Sequence, residues 1–159
     1  KPVSRTAFVI SKLSSNTIGM LIAAVLIPGI VAYLIIGGLT PLDYPAPADF
    51  VAGLALLAVN MFFWLTLTLM AGAFFESLGT VIAIPMAVLF GQLALGMVAP
   101  ALLKVFPLAL SIGADKYEAL IESVIMGATP FSWTPVVVTV LLSIVFIVVA
   151  IWRFNRQEF

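Results

Sequence analysis

The chain has 159 residues, of which 64% are hydrophobic and 9% charged, and its formal net charge is zero. Ordinary soluble domains carry roughly 25% charged residues, so a large water-soluble domain is excluded, and a neutral chain offers no electrostatic footprint for nucleic acid. Cysteine and histidine are both absent, which removes disulfides, thiolate and imidazole metal ligands, cysteine nucleophiles and the commonest general base.

Residues 1–16 alternate between apolar Ala7, Phe8, Ile10 and Leu13 and polar Ser4, Arg5, Ser11, Lys12 and Ser15. This pattern predicts a short amphipathic helix of about two to three turns in or near the membrane interface. Ser4 is placed to cap its start, and Pro2 keeps the entering chain extended.

Four apolar runs follow, at residues 17–39, 50–75, 80–103 and 134–152. About 20 apolar residues rising about 1.5 Å each cross a hydrocarbon core of roughly 30 Å, so the runs predict four transmembrane helices. The expected fold is an all-α helix bundle forming one membrane domain over residues 1–159. In the first run Gly19 and Ala23 form a small-xxx-small pair, Pro28 and Gly29 predict a kink, and Gly37 and Gly38 mark the end. Residues 40–49 carry Pro41, Pro45 and Pro47 and read as a turn-rich loop, with Asp49 expected to cap the second span.

The second span ends at Glu76, and residues 76–79 are so few that spans two and three must form an antiparallel hairpin. Pro85 lies in the first turns of the third span, and Gly96 and Pro100 loosen its far half. Residues 104–133 are too many for a turn and too apolar for a flexible linker. Their aliphatic stretches at 105–112 and 120–126 predict two short interfacial or re-entrant helices. Asp115 and Glu118 resemble an acidic capping box for the second of these, and Trp133 sits between Pro130 and Pro135 at the expected bilayer surface.

The charges give a topology. Lys1, Arg5 and Lys12 precede the first span and Arg153 and Arg156 follow the last, whereas only Lys104 and Lys116 lie on the opposite side. The positive-inside tendency therefore puts both ends of the chain in the cytoplasm, as an even number of spans requires. Lys1 is not an initiator methionine, and no signal-peptide pattern opens the chain, which reads as a fragment of a longer protein.

Asn60 and Gln92 are the polar side chains costliest to leave unpaired within the spans, so they are expected to face the bundle interior, a partner helix or a water-filled path. Either they join helices by hydrogen bonds or they line a substrate path. Pro28 and Pro85 are candidate hinges, although prolines are also tolerated in membrane helices without any such role. Glu118 and Glu122 lie one turn apart, but without a positioned partner they read as a solvated face rather than as an acid/base pair. No GxxxxGK[ST] motif is present, so the chain has no phosphate-binding loop of that kind.

The segment Lys1-Pro2-Val3-Ser4-Arg5-Thr6-Ala7-Phe8-Val9-Ile10-Ser11-Lys12-Leu13, followed at once by a span, resembles the coupling segment of ABC-2 type transporter permeases. Ser11 stands where that family commonly has glycine. The ending Arg153-Phe154-Asn155-Arg156-Gln157-Glu158-Phe159 is similar too, and so is the order of spans, hairpin and external short helices. The resemblance implies a permease subunit of an ATP-binding cassette transporter in a prokaryotic plasma membrane, more usually an exporter, with this chain supplying spans three to six of six. It also implies a separate nucleotide-binding ATPase subunit that holds ATP and Mg, and a second permease subunit in a homo- or heterodimer. Membrane lipids would surround the bundle, and this chain would be no enzyme and bind no cofactor or metal itself.

On that reading Pro2, Ser4, Arg5, Phe8 and Lys12 would contact the ATPase, with Phe8 as an apolar knob and Arg5 as a forked donor, and Glu76 in the hairpin turn would add a smaller contact. Taken by charge alone, Arg5 and Lys12 equally suit anchoring of the span at an anionic leaflet. Two rival readings are a membrane scaffold or assembly protein that moves no substrate, and an intramembrane enzyme. The second lacks a nucleophile and base within the spans.

Overall fold

The computed structural model describes residues 5–39, 44–113, 119–127 and 132–156, and these are mostly helical with no strand among them. Four helices among the described residues are long and apolar enough to cross a membrane: Thr6–Leu39, Pro47–Phe74, Leu78–Val98 and Thr134–Arg156. The all-α bundle with four spans expected from the apolar runs is therefore what the chain forms.

The first of these helices consists of α1 (Arg5–Met20), a π-helical segment (Leu21–Leu26) and α2 (Ile27–Leu39) in unbroken succession. The short amphipathic helix expected before the first span is the opening of this one rod. At about 1.5 Å per residue its 34 residues reach about 50 Å, well beyond the roughly 30 Å hydrocarbon core. No proline or glycine interrupts residues 5–18, so the drop in hydropathy there marks a change of solvent and not the end of the helix.

The irregularity expected at Pro28 lies one turn earlier. The Ile27 N–H donates to the Ile22 carbonyl, a bond five residues back. Pro28 has no N–H and its ring crowds the carbonyl four residues before it, and the wider π turn relieves that clash. Just beyond it, Gly29 is buried against α3 (Pro47–Phe74), where an added Cβ would stand 2.8 Å from the Leu54 methyls.

The start of α3 also differs from expectation. Pro47 occupies the first helical turn, which suits a residue with no N–H to satisfy, and the N-cap is Ala46, without a side-chain cap. Asp49 lies inside the first turn, where its charge complements the helix dipole instead of capping. After the turn at residues 75–77 the chain reverses into α4 (Leu78–Val98), which holds Pro85 in its interior. Ala99 then breaks the helix, as a residue before proline tends to, and the short α5 (Pro100–Leu103) follows.

Two further short elements cover one end of the bundle: a 3-10 turn at Pro107–Leu110 and α6 (Leu120–Ile125), close to the two apolar stretches that predicted them. The expected capping residues Asp115 and Glu118, and Pro130, lie outside the described residues. The N-cap of α6 is Ala119, without a side-chain bond. Gly127, at φ 67°, closes α6 in the left-handed conformation that glycine adopts at least cost. The last span, α7 (Thr134–Arg156), starts where the Thr134 N–H donates to the Ser132 hydroxyl at 3.3 Å.

The centre of the bundle is α3, which packs against α7, α6, α4, α1, the π segment and the 3-10 turn. Its buried residues Phe50, Gly53, Leu56, Asn60, Phe63, Leu67 and Ala71 recur every three or four positions and form one stripe. From α7 the smaller Thr139, Ser143 and Ala150 are buried, and the Phe63 and Phe146 rings lie 5.7 Å apart. Lipid tails are as apolar as these side chains, so close packing rather than escape from water holds the helices together. The hydroxyls of Thr66, Thr68, Thr139 and Ser143 donate to carbonyls of their own helices at 2.6–2.9 Å, which removes their cost in hydrocarbon without cross-links between helices.

Candidate functional site

Two opposite ends of the bundle can be told apart by their contacts. One, termed here the terminal end, joins the two ends of the described chain: the Thr6 hydroxyl on α1 donates to Asn155 Oδ1 on α7 at 3.3 Å. The α3–α4 turn lies at this end too, because a cavity of about 210 Å³ is lined by Phe8, Lys12 and Asn16 of α1, Thr68 of α3, Val81 of α4 and Phe154 of α7. The other end carries α6, the 3-10 turn and an aromatic group of Tyr33, Tyr44 and Phe50.

At the terminal end adjacent residues of α1 have opposite environments. Val9 is 2% exposed and ties the helix to the bundle, whereas Phe8 is 58% exposed. Lys12 is exposed as well and lies one turn from Phe8, on the same face of α1. Glu76 is exposed in the hairpin turn. Of the other residues proposed for coupling, Pro2 and Ser4 lie outside the described residues. Arg5 opens α1, but its side chain is likewise outside them. The structure thus brings Phe8, Lys12 and Glu76 to one end of the bundle.

The last turn of α7 adds contacts that the sequence reading used only as charge. The Arg153 guanidinium lies 5.5 Å from the centre of the Phe74 ring at the end of α3, and Arg156 lies 4.4 Å from that of Trp152. Both are cation–π contacts. The cations also sit at a helix C-terminus, where the dipole favours them. The Arg153 Nε is buried without a hydrogen-bond partner. The signal that could have pointed to these contacts is the four-residue spacing of Trp152 and Arg156 on one helix face, and an aromatic residue, Phe74, at the end of α3.

Asn60 and Gln92 have different surroundings. Gln92 is 6% exposed, and its Oε1 accepts the Leu108 N–H at 3.0 Å. Leu108 follows Pro107 at the start of the 3-10 turn, so Gln92 satisfies a backbone donor that the turn leaves free. Asn60 is 4% exposed in the middle of α3, and its Oδ1 is buried with no partner. Neither residue lines the terminal cavity. Of the candidate hinges, Pro28 is exposed just beyond the π segment, and Pro85 is half-buried in α4, where it cannot donate to the Val81 carbonyl.

At the opposite end the Tyr33 and Tyr44 rings are 4.4 Å apart. Tyr44 lies so close to α2 that a Cβ on Gly37 would stand 2.7 Å from its ring. Loss of water around the phenol pushes the Tyr44 pKa up to about 12, with the Tyr33 hydrogen bond and charge as smaller causes. Among the described residues no group of histidine, cysteine, aspartate and glutamate is arranged to hold a metal.

A helix bundle with four spans long and apolar enough to cross a membrane, and with exposed side chains gathered where the two ends of the described chain meet, defines a polytopic integral membrane protein. The sequence model described as ABC-2 family transporter protein matches residues 1–159, and the chain belongs to that family. It is thus a membrane component of a transport system. Comparison with curated proteins and with solved structures returned no match.

Proposed function

We propose that this chain is the permease subunit of an ATP-binding cassette transporter. In this reading it forms the translocation path with a second permease subunit and is driven by a separate ATPase subunit that binds ATP and Mg. The terminal end would face the cytoplasm of a prokaryotic cell, and export is the direction proposed. The observation that carries the reading is the family match over the whole chain, together with an α1 that is continuous with a span in a helix of 34 residues, longer than a bilayer core needs. A subunit driven from outside the membrane needs such a lever, because a rigid helix transmits a push at one end to the other.

The exposed pair of Phe8 and Lys12, with Arg5 about one turn before Phe8, supports contact with the ATPase at this end, and Glu76 is a second point of contact. An aromatic residue that fills a pocket on a partner commonly contributes about 2 kcal/mol or more to binding, which corresponds to about 30-fold in affinity. Lys12, Arg153 and Arg156 at the terminal end agree with a cytoplasmic orientation.

The test is a mild-detergent purification of the full-length protein from its native cell, as wild type, Phe8→Ala and Arg5→Glu, with mass spectrometry of what copurifies. A nucleotide-binding subunit should accompany the wild type and be lost or strongly depleted in both variants. If no such subunit appears with the wild type, even after crosslinking, the permease reading fails and a scaffold role replaces it.

A further inference from the structure

The terminal cavity has a neighbour deeper in the membrane. A second cavity of about 330 Å³ is lined by Met20 of α1, Leu21 of the π segment, Ala58 and Phe62 of α3, and Ser143 and Ile144 of α7. The two cavities follow one seam. On α3 their linings run from Ala58 and Phe62 to Leu65, Leu69 and Gly72, at intervals of three or four residues that keep them on one helix face. On the first helix they run from Val9 through Asn16 to Met20, again on one face.

The chemistry changes along the seam. Its outer part presents the Lys12 ammonium and the Asn16 amide, while the Thr68 hydroxyl there donates to the Trp64 carbonyl at 2.8 Å, and no acidic side chain is among its lining residues. The inner part is apolar: its two hydroxyls, on Thr17 and Ser143, donate to the Leu13 and Thr139 carbonyls of their own helices at 2.7 and 2.8 Å. The distance also fits. From Lys12 to Leu21 the first helix rises about 14 Å at about 1.5 Å per residue, close to half of the roughly 30 Å hydrocarbon core, which is the depth of one leaflet.

We infer that this seam is a binding site for an anionic phospholipid of the leaflet at the terminal end, with its phosphate at Lys12 and Asn16 and one acyl chain between the first helix and α3. A cation set at the membrane surface above an apolar cleft between helices is complementary to such a head and tail, and an unfilled apolar cleft would forfeit the contacts of its walls. The π segment belongs to this arrangement, since Leu21 opens it and lines the deep end. The inference does not depend on an ATPase partner.

The experiment uses the full-length protein in nanodiscs of phosphatidylcholine doped with phosphatidylglycerol that carries a photoreactive group near the end of one acyl chain. After illumination the labelled positions are mapped by peptide mass spectrometry. Met20, Leu21 or Phe62 should be labelled several-fold more than Phe90 of α4, an exposed apolar residue of another span. A phosphatidylcholine probe with the same tail should label the seam several-fold less. Lys12→Gln, a change at an exposed position, should remove that preference for the anionic head, and Ala58→Phe, which fills the inner cavity, should suppress labelling with either probe. Equal labelling of the seam and Phe90, or equal labelling by both probes, overturns the proposal. So does an unlabelled seam, the result if another helix or a second copy covers it in the whole protein.

Discussion

The two helices of the central hairpin are similarly apolar, yet α3 has 39% of its most apolar stretch buried inside the bundle and α4 only 6%. In water such a difference would be intolerable for α4. In a bilayer it costs little, because hydrocarbon tails solvate apolar side chains as well as another helix does. Hydropathy therefore locates a span and says little about its place in the bundle. What sets α3 apart is shape, because it offers two faces to neighbours: the Gly53, Asn60 and Ala71 stripe towards α6 and α7, and the Ala58 and Phe62 stripe towards the first helix. On α4, Ala83, Ala87, Gly91 and Ala94 form a comparable row of small residues, but all are exposed.

A pair of glycine substitutions separates the two helices most strongly. At Gly53 an added Cβ would run into the Ile125 side chain of α6, with the Ile121 carbonyl 3.5 Å away, whereas at Gly91 nothing lies within 4 Å. Gly53→Leu should lower the stability of the detergent-solubilised protein by about 3 kcal/mol, near the upper part of the range for overpacking. Gly91→Leu should change it by less than about 0.5 kcal/mol, as exposed substitutions commonly do. Thermal unfolding of both variants checks this. A loss at Gly91 as large as that at Gly53 would show that α4 is covered in the assembled protein, and the contrast between the helices would then belong to the isolated chain alone.

The same reasoning explains what was legible in the sequence. The four spans were, because crossing a bilayer imposes length and apolarity on every one of them. The short helices of the 104–133 segment were also visible, as aliphatic stretches of the right length. The continuity of α1 with the first span was hidden, since Ser14, Ser15 and Asn16 look like an ending although none of them breaks a helix. Pro28 announced a disturbance but not its form, because a missing N–H can be accommodated by a kink, by a freed carbonyl or by the π turn that this chain adopts. At the terminal end Phe8 and Lys12 were singled out by the family resemblance and not by the polarity pattern, which set one among the apolar and the other among the polar residues. The cavity between the first helix and α3 was not legible, since it depends on which spans touch.

Asn60 and Gln92 refine the comparison at the level of single polar groups, with effects of opposite sign. Gln92→Leu leaves the buried Leu108 N–H without its acceptor. An orphaned buried donor costs about 1–3 kcal/mol, so a loss of about 2 kcal/mol is expected. Faster amide hydrogen exchange at residues 108–110 should accompany it. Asn60→Leu removes an acceptor that has no partner at all, so a gain of about 1 kcal/mol is expected on the same scale. If Asn60→Leu destabilises the protein instead, Asn60 is paired in the membrane, with water or with a group brought by another subunit, and α3 reaches further than this chain.

The smallest effect expected is one of pH, at the end of the bundle away from the chain termini. Tyr44 has a pKa of about 12 in the folded protein against the ordinary 10.0, so its deprotonation is disfavoured by the fold. For an acid whose folded-state pKa is raised, the associated stability is fully present below the unfolded value and is lost as pH rises through the folded one. The Tyr44 contribution should therefore be constant up to about pH 10 and vanish between about pH 10 and 12. In a tyrosinate absorbance titration, Tyr44→Phe should lose the step near pH 12 that the wild type shows. In Tyr33→Phe the hydrogen bond and the charge of the neighbour are gone while the phenol remains partly shielded from water. Its titration should then move towards 10 without reaching it, because desolvation is the largest of the three causes. A return all the way to 10 would mean that Tyr33 alone holds the proton, and that the close packing against Gly37 contributes nothing to it.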